Sequence, residues 1–154
     1  MKKFIILSCL AIAFSCSAQR GSYKNITEKD GKIGIGTTSP DELLTVKGKI
    51  HTQEVLVDLE GAVAPDYVFE SYYNGTSTLK SDYKMPTLTQ LASFIETNHH
   101  LPGIPSAKTL SEEGMNLKEM NLLLLEKIEE LTLYTLEQQK EIEALKLKVS
   151  AIKE

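Results

Sequence analysis

From Leu117 to Ile152, apolar and polar positions repeat with a period of seven. With Leu117, Leu124, Leu131, Gln138, Leu145 and Ile152 at position d, position a falls on Asn121, Ile128, Thr135, Ile142 and Val149. The three-four spacing persists for roughly five heptads, which predicts one long helix in a coiled coil. A helix laid back on its own domain would instead drift with the 3.6-residue period. A lone rod with this seam exposes it to water, so a partner helix is required. Ile or Val at a with Leu at d, and Asn121 at a, favour two strands, while Thr135 and Gln138 weaken any state and set the register. Glu126, Glu129 and Glu130 with Lys127 read as solvated flanks of the coil. Glu141 and Lys146, at g and the following e, read as an interhelical pair.

Upstream, the patterns are shorter. Gln19 to Gly31 is polar and reads as loose, apart from Tyr23 and Ile26. In "GKIGIGTTSPDELLTVKGKI" (31–50), Ile33 and Ile35 alternate with glycines, "TTSP" turns, and Leu44 and Val46 alternate again. This predicts strand, turn, strand. "EVLVDLEG" (54–61) repeats the alternation with Val55, Val57 and Leu59, and "DYVFESYY" (66–73) also reads as a strand, followed by a turn at "NGTST". Such short strands bury no face alone and need pairing or stacking.

Helical signals take over at Pro86. Thr87 with Gln90 forms a capping-box pattern, and Leu88, Leu91 and Ile95 share one face, so a helix of about three turns should run to His99. Pro102 disfavours helix at Leu101. In "LPGIPSA", Pro102 and Pro105 fix the backbone and Gly103 permits a sharp turn. That corner should let Leu101 and Ile104 pack between this helix and the base of the coil. "TLSEEG" predicts a short helical turn closed by Gly114. Asn116 with Glu119 caps the long helix, with Met115 and Met120 at staple spacing.

The chain of 154 residues carries a formal charge of −4. Its first 18 residues read as an export signal: Lys2 and Lys3, the apolar run Phe4 to Phe14, then small residues ending at Ala18. The run is too short to span a membrane. A lipid anchor at Cys16, which follows Ser15, is the alternative, although Ala13 and bulky Phe14 fit that motif poorly. Cleavage removes both cysteines, Cys9 and Cys16, so the mature chain has neither disulfide nor thiol chemistry. Loss of two lysines and no acid takes the charge from −4 to −6, which argues against a nucleic-acid partner. The remaining aromatics are Phe69, Phe94 and six tyrosines, with no tryptophan. So thin a core without disulfides points to burial through association with other copies.

No catalytic, cofactor or metal constellation emerges. "GIGTTS" has Gly34 and Gly36 but neither a third glycine nor a GK[ST] ending, so its glycines serve turns rather than phosphate. Adjacent His99 and His100 point in different directions, and His51 is distant, so helix capping is favoured over metal binding. Ser81, Lys84 and the hydroxyls of 76–78 read as a polar surface loop, with no nucleophile elbow.

"GKIGIGTTSPDELLTVKGKI" resembles the strand-turn repeat of bacterial surface and phage-like fibre proteins. "PDYVFESYY", "DYKMPTL", "HLPGIPSA" and "GMNLKEMNLLLLEKIEELTLYTLEQQKEI" together resemble the C-terminal module of bacterial tail-fibre-like proteins. That module is similar to the intramolecular chaperone domain of phage endosialidases and tail spikes. The resemblance covers roughly residues 31–154. It implies a trimer, in which C-terminal helices associate and bring an interwound β stem into register. Some members of that family cut themselves at a serine in a Ser-Asp-x-Arg-Leu-Lys signature. "SDYKM" (81–85) has lysine for arginine and no following lysine, so autoproteolysis is not expected here.

The expected protein is therefore α+β. It comprises a signal peptide (1–18), a flexible segment (19–30), a β-rich stem (31–61), a small α+β module (62–114) and a coiled coil (115–154). It should be an exported, non-enzymatic, fibre-type structural protein, secreted or at the cell surface. Its partner is itself, as a homotrimer, the resemblance deciding three strands against the two favoured by the seam. A self-cleaving chaperone using Ser81 or a nearby serine, and an adhesin for a glycan or host surface, are the alternatives.

Overall fold

The computed structural model describes residues 24–152. The signal sequence, its cleavage point after Ala18 and the lipid-anchor alternative at Cys16 lie outside those residues. The described chain is α+β, with one three-stranded sheet and four helices. Its internal contacts divide it into two units, one up to Val55 and the other from Leu56.

The first unit is the sheet β1-β2-β3, formed by β1 (Ile26–Lys29), β2 (Lys32–Ile35) and β3 (Leu44–Val46). Strands β1 and β2 pair antiparallel, with Lys29 opposite Lys32. Between them Asp30 and Gly31 both have positive φ, 53° and 77°, as a two-residue hairpin turn of the mirror-image type requires. The segment read from sequence as loose therefore contains a strand, and "KDGK" is the overlooked signal. Strands β2 and β3 match the expected strand-turn-strand, but they run parallel, with Ile33 opposite Leu44. Gly36, at φ 72°, lets the chain leave β2 close to β3: a Cβ there would stand 3.0 Å from the Lys47 carbonyl oxygen. Thr45 fastens the loop ahead of β3. Its hydroxyl donates to Asp41 Oδ1 at 2.7 Å and accepts from the Asp41 and Glu42 amides.

The sheet has almost no interior. Among the described residues of this unit only Gly34 and Thr45 are buried, while Ile26, Ile33, Ile35 and Leu44 all face water. "EVLVDLEG" forms no strand, because no neighbouring edge pairs with it, and Val55, Leu56, Val57 and Leu59 remain exposed.

The second unit holds α1 (Tyr67–Asn74), α2 (Leu88–Asn98), α3 (Ala107–Glu113) and α4 (Leu117–Ile152). Helix α1 corrects the strand expected at "DYVFESYY". Valine and tyrosines favour strands only weakly, and here Pro65 and Asp66 start a helix that Gly75 ends at φ 81°. Helix α2 follows its caps as predicted. The Thr87 hydroxyl accepts from the Gln90 amide at 3.2 Å, and Gln90 Oε1 accepts from the Thr87 amide at 2.8 Å. The helix ends where His99 turns left-handed, at φ 59°. Helix α3 starts on Ser106, a cap the sequence reading missed, and closes at Gly114 as expected. Asn116 Oδ1 accepts from the Glu119 amide at 3.2 Å and begins α4.

The small core lies where α1 meets α4: Tyr67, Val68 and Leu133 are buried, with Phe69, Tyr72, Tyr83 and Met85 packed around them. Pro65 and Leu133 have essentially no exposure. Leu133 and Leu147 occupy the same heptad position on α4, yet Leu147 is 73% exposed. Leu133→Ala should lower stability by about 2–5 kcal/mol in thermal melts, whereas Leu147→Ala should stay within about 0.5 kcal/mol.

Candidate functional site

Helix α4 has two faces with opposite fates. At 36 residues it is about 54 Å long. Its buried residues are Glu126, Glu129, Glu130 and Leu133, on the side away from the a/d seam, and Tyr134, at position g on the seam's flank. The three glutamates expected as solvated flanks are therefore covered, Glu130 to 3% exposure. The correction has a physical cause: α1 and the segment 80–86 lie against this side and bring phenols and an ammonium to the carboxylates.

Tyr67 donates its hydroxyl to Glu126 Oε2, and Tyr83 donates to Glu130 Oε1 at 2.8 Å. Lys127 Nζ spans the pair, at 2.7 Å from Glu126 and 2.9 Å from Glu130. Lys80 approaches Glu126 at 3.7 Å and also sits over the Tyr67 ring, 4.8 Å from its centroid. The Tyr67 and Tyr83 rings pack at 4.9 Å, and Tyr134 donates to the Pro86 carbonyl. Burial, then the bonded carboxylates, push the Tyr67 and Tyr83 phenols far up, so both remain donors across the accessible pH range.

The carboxylates differ from one another. Burial opposes ionisation of Glu126, but the bonds from Lys127 and Tyr67 and the charges of Lys127 and Lys80 outweigh it. Its carboxyl lies below the usual range. Lys127 is likewise held above its usual value: burial pulls it down, and the two glutamates more than restore it. Glu129 has no such help. Its Oε2 is buried without a hydrogen-bond partner. Burial first, then the charges of Asp66 and Glu126, raise its carboxyl above the usual range.

The opposite face is bare. All eleven seam positions, Leu117, Asn121, Leu124, Ile128, Leu131, Thr135, Gln138, Ile142, Leu145, Val149 and Ile152, are exposed. Leu131 is 64% and Ile152 82% exposed. Beyond Tyr134 every residue of 135–152 is exposed, although Glu137 still reaches the Tyr72 phenol. The helix buries residues against its own module only in its N-terminal half, mostly on the face that the heptad pattern does not use.

The proline-glycine corner lies against that half. Leu101 to Ile104 make a turn closed by the Ile104 amide on the Leu101 carbonyl at 3.1 Å, with Gly103 at φ 78°. Proline second and glycine third are what a type II turn selects. A Cβ at Gly103 would meet Leu123 of α4 at 3.9 Å. Leu101 and Leu91 then form one side of an apolar groove of about 320 Å³, whose floor is Leu124, Ile128 and Leu131.

The other candidates stay apart. His99 caps α2 through its backbone, and His100 packs edge-on against Phe94 at 5.6 Å. Ser81 and Lys84 are both exposed. Among the described residues, no group of three or more His, Cys, Asp or Glu is placed to hold a metal ion. No described helix is long and apolar enough to cross a membrane. Compared with protein-family models, with curated proteins and with solved structures, the chain matches none.

Glu126 and Glu129 should respond oppositely to neutralisation. The Glu126 carboxyl, depressed on folding, stabilises above its unfolded value, and that contribution is lost as pH falls through the folded one. Glu129, raised on folding, destabilises at neutral pH and recovers as pH falls. At pH 7, Glu126→Gln should cost about 1.5–3 kcal/mol, with the difference from wild type vanishing in acid. Glu129→Gln should raise the melting temperature at pH 7.

Proposed function

We propose that this chain is an exported, non-enzymatic structural protein of the fibre type, whose C-terminal module drives homotrimer assembly and brings the β segment into register. The observation that carries the reading is the solvent-facing seam of α4. One face of the helix is committed to the chain's own module, and every position of the heptad seam is exposed. Exposed aliphatic surface on this scale marks an interaction surface, and a heptad seam selects another such helix as its cover.

The sheet supports the same reading. Three short strands with Ile33, Ile35 and Leu44 in water lack the apolar burial that an independent sheet needs. Copies brought together by the coil would supply it. The threefold choice comes from the resemblance to tail-fibre chaperone modules, and the exported location from the signal pattern in residues 1–18. The reading assigns no catalysis to Ser81.

Light scattering on residues 19–154 should give three times the chain mass, and Leu131→Asp should reduce it to one, since a charge in the seam costs several kcal/mol to desolvate. A compact single polypeptide at micromolar concentration would overturn the reading. On prolonged incubation the mass of the purified chain should not change. A discrete fragment that disappears on Ser81→Ala would favour a self-cleaving module instead.

A further inference from the structure

We infer that the groove between α2, the Leu101–Ile104 turn and α4 is a preformed socket for the α4 helix of a second, parallel copy, with that copy's Ile128 as the central knob and its Leu125 at the rim. The inference rests on the oligomeric reading above and names what the interface contains beyond the seam.

In a parallel coiled coil, each seam knob enters a hole made by four residues of the facing helix. Leu124, Lys127, Ile128 and Leu131 occupy successive d, g, a and d positions, the four corners of such a hole for a residue at a. All four line this groove. Leu91 and Leu101 add a wall beyond position g, which a bare helix would lack. The polar groups at the rim are already engaged. Lys127 bonds Glu126 and Glu130, Glu130 also accepts from Tyr83, and Tyr134 donates to Pro86. Little remains to orient a polar ligand, whereas the apolar floor is open.

Charge and area both point to a second copy. Parallel, in-register packing sets each g residue beside the e residue five positions on in the neighbour. Met120 then meets Leu125, and Glu141 meets Lys146, so apolar faces apolar and acid faces base. An antiparallel pairing centred on Thr132 would oppose Lys118 to Lys146. The aliphatic seam residues are 44% to 82% exposed. Covering eight of them at roughly 100 Å² each removes on the order of 800 Å² per copy, the share of a stable standard interface. Leu125, at e and 41% exposed, lies on the flank of α4 opposite the groove, so it fills a neighbour's socket and not its own.

The mature chain is free of cysteine, so paired replacements report cleanly. In residues 19–154 carrying Leu101→Cys and Leu125→Cys, a short bismaleimide should link different chains and yield covalent oligomers. Leu101→Cys with Leu147→Cys should not. Leu101→Ala should raise the dissociation constant at least about tenfold, without altering the thermal core that Leu133 reports. If light scattering finds an oligomer, yet the first pair does not cross-link and Leu101→Ala leaves the dissociation constant unchanged, the socket is wrong while the seam stands. An apolar dye that still enters the groove in the intact oligomer would likewise overturn it. A monomer would sink the socket and the oligomeric reading together.

Discussion

A helix can give only one side to its own domain, and the rest of this structure follows from which side α4 gives. The phenols of Tyr67 and Tyr83 and the ammonium of Lys80 meet Glu126 and Glu130 on the face opposite the heptad seam. Once that contact forms, Leu124, Ile128 and Leu131 are turned outward. Burying carboxylates is expensive, and a well-packed apolar face would stabilise at least as well. An apolar back face would, however, leave α4 with two equivalent greasy stripes. The tyrosine-carboxylate chemistry makes the two sides distinct, so the small module closes on one and leaves the other facing solvent.

Features encoded within a few neighbouring residues were readable without coordinates. The Thr87–Gln90 box, the turn at Pro102–Gly103, the stop at Gly114 and the Asn116 cap are all local hydrogen-bond chemistry, and each stands where its residues predict. The long helix was equally plain. What failed was long-range. "DYVFESYY" has the valine and tyrosines of a strand, yet as a helix it places Tyr67 and Val68 on α4 together, and tertiary packing decided the matter. The buried glutamates were missed for a related reason. A heptad wheel assigns their positions to solvent, and nothing near them in sequence reveals that Tyr67 and Tyr83 will arrive from about fifty residues upstream. The tyrosines themselves were the available hint, since a buried phenol needs a polar partner.

The distribution of burial links these pieces. The only aliphatic and aromatic interior among the described residues is the handful around Val68 and Leu133. Past Tyr134 every described residue of the helix is exposed, and the sheet buries only Gly34 and Thr45. A chain of this size without tryptophan, and with no cysteine among its described residues, has little with which to offset its conformational entropy. The deficit is not spread evenly, as it would be in a poorly packed domain. It is concentrated on one helix face and one sheet, both of regular geometry. The small α1–α4 core therefore also orients α4, with Glu126, Glu129 and Glu130 covered on one side and Leu124, Ile128 and Leu131 turned outward on the other. The outward direction of the seam is thus set by a core of only a few side chains, Val68 and Leu133 chief among them.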